Sequence, residues 1–249
     1  MGAKLGGPGG AKKSPGSGPQ IKLRERQETS LLLLRWSWDG GAGAALRSPQ
    51  PLPAAEALAA IADGDPRPLL VLRECDACRG SSDAFLSRTL DNEKTELLGR
   101  WFHAVRLGPE VLEPDHPLHA LFPGQAPAHL FTATLDGGTR VELDGAQSQA
   151  LLWRAMTTVL RKTYRRDPDA AVRGLQKLLD QLDESDARLA EIEDQLMTAR
   201  GEHGSAAPEA QDLERQRDKL SAARQKLLEQ GRDLDDLQLK AAPAPPGEH

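Results

Sequence analysis

Short apolar runs along the chain predict buried strands. Three of them are SLLLLRWSW from Ser30, RPLLVLRE at 67–74 and WFHAVRLG at 101–108. The middle run is continuously apolar, as is typical of a central strand covered on both faces. Between the first two runs, the Ala-rich stretch from Pro53 to Gly64 predicts a short helix.

Helical and alternating patterns follow the middle run. The segment CRGSSDAFLSRTLDNEKTELLGR at 78–100 predicts a helix with a break near 90–92, and a helix between two strands implies a parallel crossover. Alternating residues on either side of the turn at 136–138 predict an antiparallel hairpin. An amphipathic helix at 146–166 then closes the unit, and its apolar side is Leu151, Leu152, Met156 and Leu160. The predicted fold class is therefore α/β, a mixed sheet flanked by helices.

The last third of the chain has a heptad pattern. Asp167 and Pro168 predict a helix start, since Asp is a good N-cap and Pro fits the first turn. Seam positions then recur at intervals of three and four, all of them apolar except Ser185: Leu175, Leu178, Leu182, Ser185, Leu189, Ile192, Leu196 and Ala199. A second helix carries leucines at intervals of seven: Leu213, Leu220, Leu227 and Leu234. The pattern predicts a C-terminal α-helical coiled coil, favoured as an antiparallel hairpin, with pairing between two chains left as the alternative.

Composition divides the chain into four parts. Residues 1–28 are rich in Gly, Pro, Ser and Lys and predict a disordered tail, as does the Pro-rich end at 240–249. A folded domain is expected over 29–166 and the coiled-coil hairpin over 167–239. We expect the domain to stay folded when residues 168–249 are removed, because the seam is predicted to lie outside its core.

The charge of the chain and its lack of targeting patterns limit the classes of partner and the cellular location that we expect. The net charge is −5 and the pI is about 5.7, which gives no reason to expect nucleic acid or an anionic membrane surface as a partner. The N-terminus lacks the apolar run of a signal peptide, and the four leucines at 31–34 are too few to span a bilayer. A cytoplasmic protein is therefore expected.

The chain contains only two cysteines, Cys75 and Cys78, at the end of the middle apolar run. A helix that begins near Cys75 would place its sulfur at the positive end of the helix dipole, which favours the reactive thiolate, and Cys78 would lie one turn further on. Two other interpretations stay open. The cysteines could bind zinc together with His116 and His119, or they could be inert packing residues.

At this point the sequence resembles the thioredoxin-fold disulfide oxidoreductases. The resemblance rests on the strand PLLVL, the CDAC that follows it, the hairpin AHLFTATLDGGTRVELDG entered through a proline, and the closing helix; it covers roughly residues 30–165. It implies thiol–disulfide exchange on a protein or small disulfide, with Cys75 attacking and Cys78 resolving. No external cofactor is implied, but an unknown reductant must recycle the pair. The resemblance also implies that Pro127 is a cis proline that faces the cysteines and, with Ala126, binds the substrate.

The charges near the cysteines depart from the family pattern. Glu74 stands where an aromatic residue is common, and with Asp76 it opposes a thiolate at Cys75. Arg73 and Arg79 partly offset these charges, so we expect a less oxidising disulfide than in strongly oxidising relatives. The alternative function is a non-catalytic thioredoxin-like scaffold, in which the coiled coil mediates association with a partner or a second copy.

Overall fold

The computed structural model describes residues 26–38, 50–75, 85–87 and 89–240. Within them the helices are α1 (Glu28–Leu34), α2 (Ala54–Ala62), α3 (Glu93–Gly99), α4 (Gln149–Thr163), α5 (Pro168–His203) and α6 (Pro208–Asp235). The strands are β1 (Leu69–Arg73), β2 (His103–Leu107), β3 (Leu130–Ala133) and β4 (Arg140–Leu143). Short 3-10 turns at Pro109–Leu112 and His119–Leu121 interrupt the connection between β2 and β3.

The four strands form one mixed sheet in the order β2-β1-β3-β4. β1 and β2 are parallel, whereas β3 is antiparallel both to β1 and to β4. The parallel pair requires a crossover connection, and α3 lies in that connection. The predicted α/β class, the two strands on either side of the crossover and the hairpin are therefore confirmed.

The sheet is covered on both faces. All five residues of β1 are buried, and its four apolar residues alternate between two hydrophobic cores. Leu69 and Val71 pack with Ile61 of α2, while Leu70 and Leu72 pack on the other face with Met156 of α4. This alternation follows from the period of two along a strand, and it explains why β1 is continuously apolar.

The first apolar run forms a helix, so the strand predicted from Ser30 is wrong. Ser30 and Leu34 are buried, whereas Leu31 and Leu32 are 51% and 50% exposed. Residues four apart lie on one face of a helix, so α1 buries this pair and exposes Leu31 and Leu32, while Leu33 is partly buried. The buried face lies on α5, where the Ser30 hydroxyl donates to the carbonyl of Leu179 at 3.4 Å.

The N-terminal boundary also differs from the prediction. Arg26 falls within the predicted disordered tail, but its side chain is only 3% exposed. Its guanidinium donates to Glu93 at 2.7 Å, to Asp180 at 2.7 Å and to Asp183 at 2.8 Å. These carboxylates attach residue 26 to α3 and α5. Residues 1–25 and 241–249 lie outside the described residues.

The helix that follows β4 has the predicted amphipathic character. Ser148 caps α4, since its hydroxyl accepts from the Leu151 N–H at 3.4 Å. The buried face consists of Leu152, Ala155, Met156, Thr157, Val159 and Leu160. Leu151 was expected on this face but is 49% exposed, because a helix advances about 100° per residue and places it beyond the edge of the stripe.

The last two helices pack against each other as an antiparallel hairpin. Asp167 caps α5 as predicted, accepting from the Ala170 N–H at 3.1 Å. Near the loop, Arg200 of α5 pairs with Glu214 of α6 at 2.6 Å, and further down Asp186 pairs with Arg224. The order of these pairs shows that the two helices run in opposite directions within one chain.

The base of this helical hairpin belongs to the core of the domain, so the expectation that the seam lies outside that core is wrong there. Five residues at the base join the cluster that contains Leu70 and Leu72: Ala171, Val172, Leu175, Leu179 and Leu237. The indole N–H of Trp101 also donates to the carbonyl of Asp235 at 2.8 Å. A heptad pattern shows which residues are apolar but not everything they contact. Towards the loop a separate cluster forms from Ile192, Leu196, Ala199, Ala210 and Leu213.

Candidate functional site

The candidate site lies where β1 ends. The backbone N–H of Arg73 donates to the carbonyl of His129 at 2.8 Å, and the N–H of Glu74 donates to the carbonyl of Leu107 at 2.8 Å. The end of β1 is therefore held between the segment before β3 and the end of β2. This arrangement fixes the backbone that leads into Cys75.

Cys75 lines a cleft of about 560 Å³ together with Ala126 and Pro127. These three residues are far apart in sequence but come together because β3 pairs with β1 and its preceding segment passes the end of that strand. The structure thus brings together three of the residues predicted for the site. The cleft also includes Glu142 and Asp144, at and just beyond the end of β4.

Three predicted site residues lie outside the described residues: Asp76, Cys78 and Arg79. The predicted start of a helix near Cys75 also falls outside the described residues. In the described remainder of that segment only Glu93–Gly99 is helical, so the helix predicted before residue 90 is wrong for residues 85–87 and 89. Cys75 itself is disulfide-bonded. The sequence contains no other cysteine besides Cys78.

The peptide bond before Pro127 is trans, so the expectation of a cis proline is wrong. No peptide bond among the described residues is cis. The trans form of an X–Pro bond is favoured by about 0.5–1 kcal/mol unless tertiary contacts reverse that preference. Here the carbonyl oxygens of Pro127 and Ala128 accept hydrogen bonds from Arg73 at 3.1 and 3.3 Å, which hold the segment in place with a trans bond.

Arg73 was expected only to offset the acidic residues near Cys75, whereas in the structure it is a buried part of the site. It is only 5% exposed, and besides the Pro127 and Ala128 carbonyls its guanidinium donates to the carbonyl of Glu74 at 3.3 Å. No carboxylate among the described residues pairs with it, and burial lowers the pKa of its guanidinium. The one signal in the sequence was a cationic residue directly after four buried apolar residues.

Glu74, predicted to modulate the cysteines, does not line the cleft in the described part of the chain. Its carboxylate lies 3.7 Å from the guanidinium of Arg106, and its side chain is 43% exposed. The partial exposure and the neighbouring cation weaken its effect on Cys75.

His129 adds a titratable group to the cleft. Its Nδ1 lies 3.5 Å from Nη2 of Arg73. Burial and the charge of Arg73 lower the pKa of His129, and the carboxylate of Asp144 partly opposes them. The neutral imidazole is therefore favoured at neutral pH, and Nδ1 is oriented to accept from Arg73.

The zinc interpretation gains no support from the described residues. Among them no group of three or more His, Cys, Asp or Glu side chains is arranged to hold a metal ion. His116 instead accepts from the N–H of Leu118 through Nδ1 at 3.1 Å. Neither His116 nor His119 is among the described residues that line the cleft with Cys75.

A larger cavity of about 700 Å³ lies at the opposite end of β1. Two of its arginines are already paired: Arg67 bonds Asp65 at 2.6 Å, and Arg100 bonds Asp235 at 2.7 Å. The smaller cleft is the better candidate for thiol chemistry, because Cys75 lines it and no cysteine is among the described residues that line the larger cavity.

Comparison with known proteins adds no relative: the sequence matches no family model, and no curated protein or solved structure matches it significantly. The resemblance to thioredoxin-fold oxidoreductases therefore stays a prediction. In the part of the chain that the structure describes, no helix is both long enough and apolar enough to cross a membrane.

Proposed function

We propose that this protein performs thiol–disulfide exchange through Cys75 and Cys78 in a thioredoxin-like domain. The observation that supports the proposal most is the shared cleft of Cys75, Ala126 and Pro127 at the end of the central strand. A cysteine in this position can attack a substrate disulfide that lies against the Ala126–Pro127 segment. The proposal includes the expected cytoplasmic location, where cellular reductants keep thiols reduced.

The order of the elements supports the thioredoxin-like assignment. The central strand β1 precedes the cysteines, β2 is parallel to it, and the antiparallel β3–β4 hairpin is followed by the closing helix α4. Helices lie on both faces of the sheet. These features agree with the sequence resemblance, whereas the trans bond before Pro127 and the helix in place of the strand predicted from Ser30 do not.

The proposed reaction transfers two electrons from the cysteine pair to the substrate. The thiolate of Cys75 attacks one sulfur of the substrate disulfide, which forms a mixed disulfide and releases the other substrate sulfur as a thiolate. The thiolate of Cys78 then attacks the sulfur of Cys75, so that the Cys75–Cys78 disulfide forms and the second substrate thiol leaves. A thiol reductant returns the pair to the dithiol by the same exchange in reverse.

A disulfide-reduction assay on the full chain tests this function. The substrate is a peptide disulfide with a fluorophore and a quencher, and dithiothreitol is the reductant. We expect Cys75→Ser to lose turnover and Cys78→Ser to accumulate a mixed disulfide at Cys75, visible by mass spectrometry. The two variants are matched, since each removes one sulfur. A wild-type protein no faster than Cys75→Ser with any thiol reductant would refute the proposal.

The redox potential of the cysteine pair tests the predicted effect of the flanking charges. Glu74, Asp76 and Arg79 are proposed to modulate the thiolate, and the acidic residues are expected to oppose it. We expect a potential well below the value of about −120 mV that marks a strong oxidant. Equilibration with glutathione buffers, followed by alkylation and mass spectrometry, measures it.

The alternative is a thioredoxin-like scaffold whose coiled coil mediates protein association. One observation favours it: beyond Asp186 and Arg224, the hairpin has its own hydrophobic cluster, separate from the domain core. From Asp186 to His203, α5 extends for roughly 27 Å at about 1.5 Å per residue. If this tip joins two copies, sedimentation will depend on concentration, and replacing residues 187–223 by a short Gly-Ser linker will abolish that dependence.

A further inference from the structure

The charge of Arg73 is buried without a counterion of its own. The residue is 5% exposed, and its hydrogen bonds go to three backbone carbonyls and to Nδ1 of His129 rather than to a carboxylate of the described residues. Burying an unpaired charge costs free energy, and buried cations in proteins are usually paired with an anion. The arrangement therefore leaves positive charge at the cleft that a nearby salt bridge would have neutralised.

The three carbonyls belong to the two segments that form the candidate site. One is the carbonyl of Glu74, which is covalently joined to Cys75, and the others are those of Pro127 and Ala128 on the opposite side. A single guanidinium thus connects the backbone that carries the cysteine to the backbone proposed to bind substrate. Its planar shape and multiple donors allow this, whereas a lysine ammonium has no such geometry.

Arg73 and Cys75 also lie on the same side of the chain. They are two residues apart, the spacing that places side chains on one face of extended backbone, and both line the cleft. The other charged groups near Cys75 are Glu142, paired with Arg140 at 2.8 Å, and Asp144. Glu74 faces Arg106, and burial and the charge of Arg73 lower the pKa of His129. Among the described residues that line the cleft, Arg73 is the one that stays cationic at neutral pH.

We propose that Arg73 is a positioning residue for Cys75: its buried guanidinium holds the two sides of the cleft together and keeps a positive charge beside the thiolate. The inference rests on the proposed function, because a thiolate at Cys75 matters only if that cysteine reacts. It assigns to Arg73 a role distinct from offsetting Glu74, since Glu74 already faces a cation.

The pH dependence of Cys75 alkylation tests this role. In the Cys78→Ser protein only Cys75 reacts, and its rate with iodoacetamide reports the fraction of thiolate. With Arg73 present, we expect a midpoint below the ordinary thiol pKa of about 8.5. Arg73→Met should raise the midpoint by about one unit, so the rate at pH 7 falls about tenfold, because one unit changes the thiolate fraction tenfold in this range.

Two variants separate charge from hydrogen bonding. Arg73→Lys keeps the charge but not the three bonds, so we expect the midpoint to return towards the wild-type value while substrate turnover stays reduced. Asp144→Asn removes the opposing charge and should move the midpoint down. The matched control is Arg67→Met, which deletes a guanidinium at the other end of β1, where it bonds Asp65 and the carbonyl of Arg100. It should leave the midpoint unchanged.

The outcomes distinguish this inference from the proposed function. If the wild type reduces disulfides but Arg73→Met leaves the alkylation midpoint unchanged, the role of Arg73 is refuted and the function stands. If the wild type is inactive but the midpoint depends on Arg73, the function fails and the electrostatic effect stands. If Arg73→Met does not fold, the Cys78→Ser protein alone decides, since a midpoint at or above about 8.5 contradicts the inference.

Discussion

Replacing Leu179 by Ala tests whether the base of the helical hairpin is part of the domain core. Leu179 lies in α5, is 1% exposed, and belongs to the cluster that contains Leu70 and Leu72 of β1. Leu196 lies further along the same helix and is 4% exposed, but it belongs to the separate cluster at the tip. Leu196→Ala is therefore a matched control with the same change in size and a different set of neighbours.

The expected loss follows from the atoms removed. Leu→Ala deletes three carbon atoms, worth about 0.8 kcal/mol each when buried, and the cavity left behind adds a further cost. We expect the free energy of unfolding to fall by about 3 kcal/mol for Leu179→Ala. For a chain of this size, that corresponds to a midpoint lowered by roughly 6–12 °C.

Tryptophan fluorescence measures unfolding of the sheet domain separately from unfolding of the helical hairpin. All four tryptophans lie outside α5 and α6: Trp36, Trp38, Trp101 and Trp153. Leu179→Ala should lower the fluorescence midpoint, whereas Leu196→Ala should open the tip locally and change mainly the helical circular dichroism signal. An unchanged fluorescence midpoint for Leu179→Ala would mean that the hairpin folds independently of the sheet, and the shared core would be refuted.

Three further predictions concern single contacts. Arg26→Ala should lower the free energy of unfolding, measured in urea, by about 3–5 kcal/mol, because it leaves the buried carboxylate of Glu93 without its cationic partner. The double variant with Glu93→Gln should recover part of that loss. Tyr164→Phe removes the 2.8 Å hydrogen bond to the carbonyl of Trp101 and should cost about 1–3 kcal/mol in the same measurement. His129 has a lowered pKa, so its contribution to stability is complete above its ordinary pKa of 6.5 and is lost as the pH falls through its folded-state value. His129→Gln should remove that part of the decline in urea titrations at decreasing pH, and an identical decline in the variant would contradict the assignment.

The sheet could be predicted because its signals are local. The first four residues of β1 are apolar without interruption, and the helix on its N-terminal side begins after Pro53 and ends at Ala62, two residues before Gly64, which has a φ of +82°. The β3–β4 hairpin turns through Gly137, with a φ of +69° that glycine adopts without strain. Each of these features depends on residues a few positions apart.

The structural predictions were wrong where contacts between residues distant in the sequence determine which side chains are buried. Four consecutive leucines carry no period of their own, so only the surface of α5 selects Leu34 for burial and leaves Leu31 exposed. The heptads of α5 predicted its pairing with α6 but could not show that Val172 and Leu179 also face the sheet domain. Arg26 gave no signal either, since its carboxylate partners at 180 and 183 lie more than 150 residues away.

The candidate site depends both on local sequence patterns and on contacts between residues distant in the sequence. The positions of Cys75 and Pro127 could be inferred because each follows a recognisable local pattern, the end of a buried strand and the entry to a hairpin. The trans isomer of the bond before Pro127 could not be inferred, because the entry to a hairpin accommodates either isomer, and the contact between Arg73 and the Pro127 carbonyl joins residues 54 apart in the sequence. Arg73 is likewise ambiguous in the sequence, where a cation at a strand end predicts a solvated side chain. In the structure the cation is instead buried against three carbonyls, so its charge faces the cleft. Under the proposed function, the reactivity of Cys75 is therefore expected to depend on a residue outside the CxxC pattern.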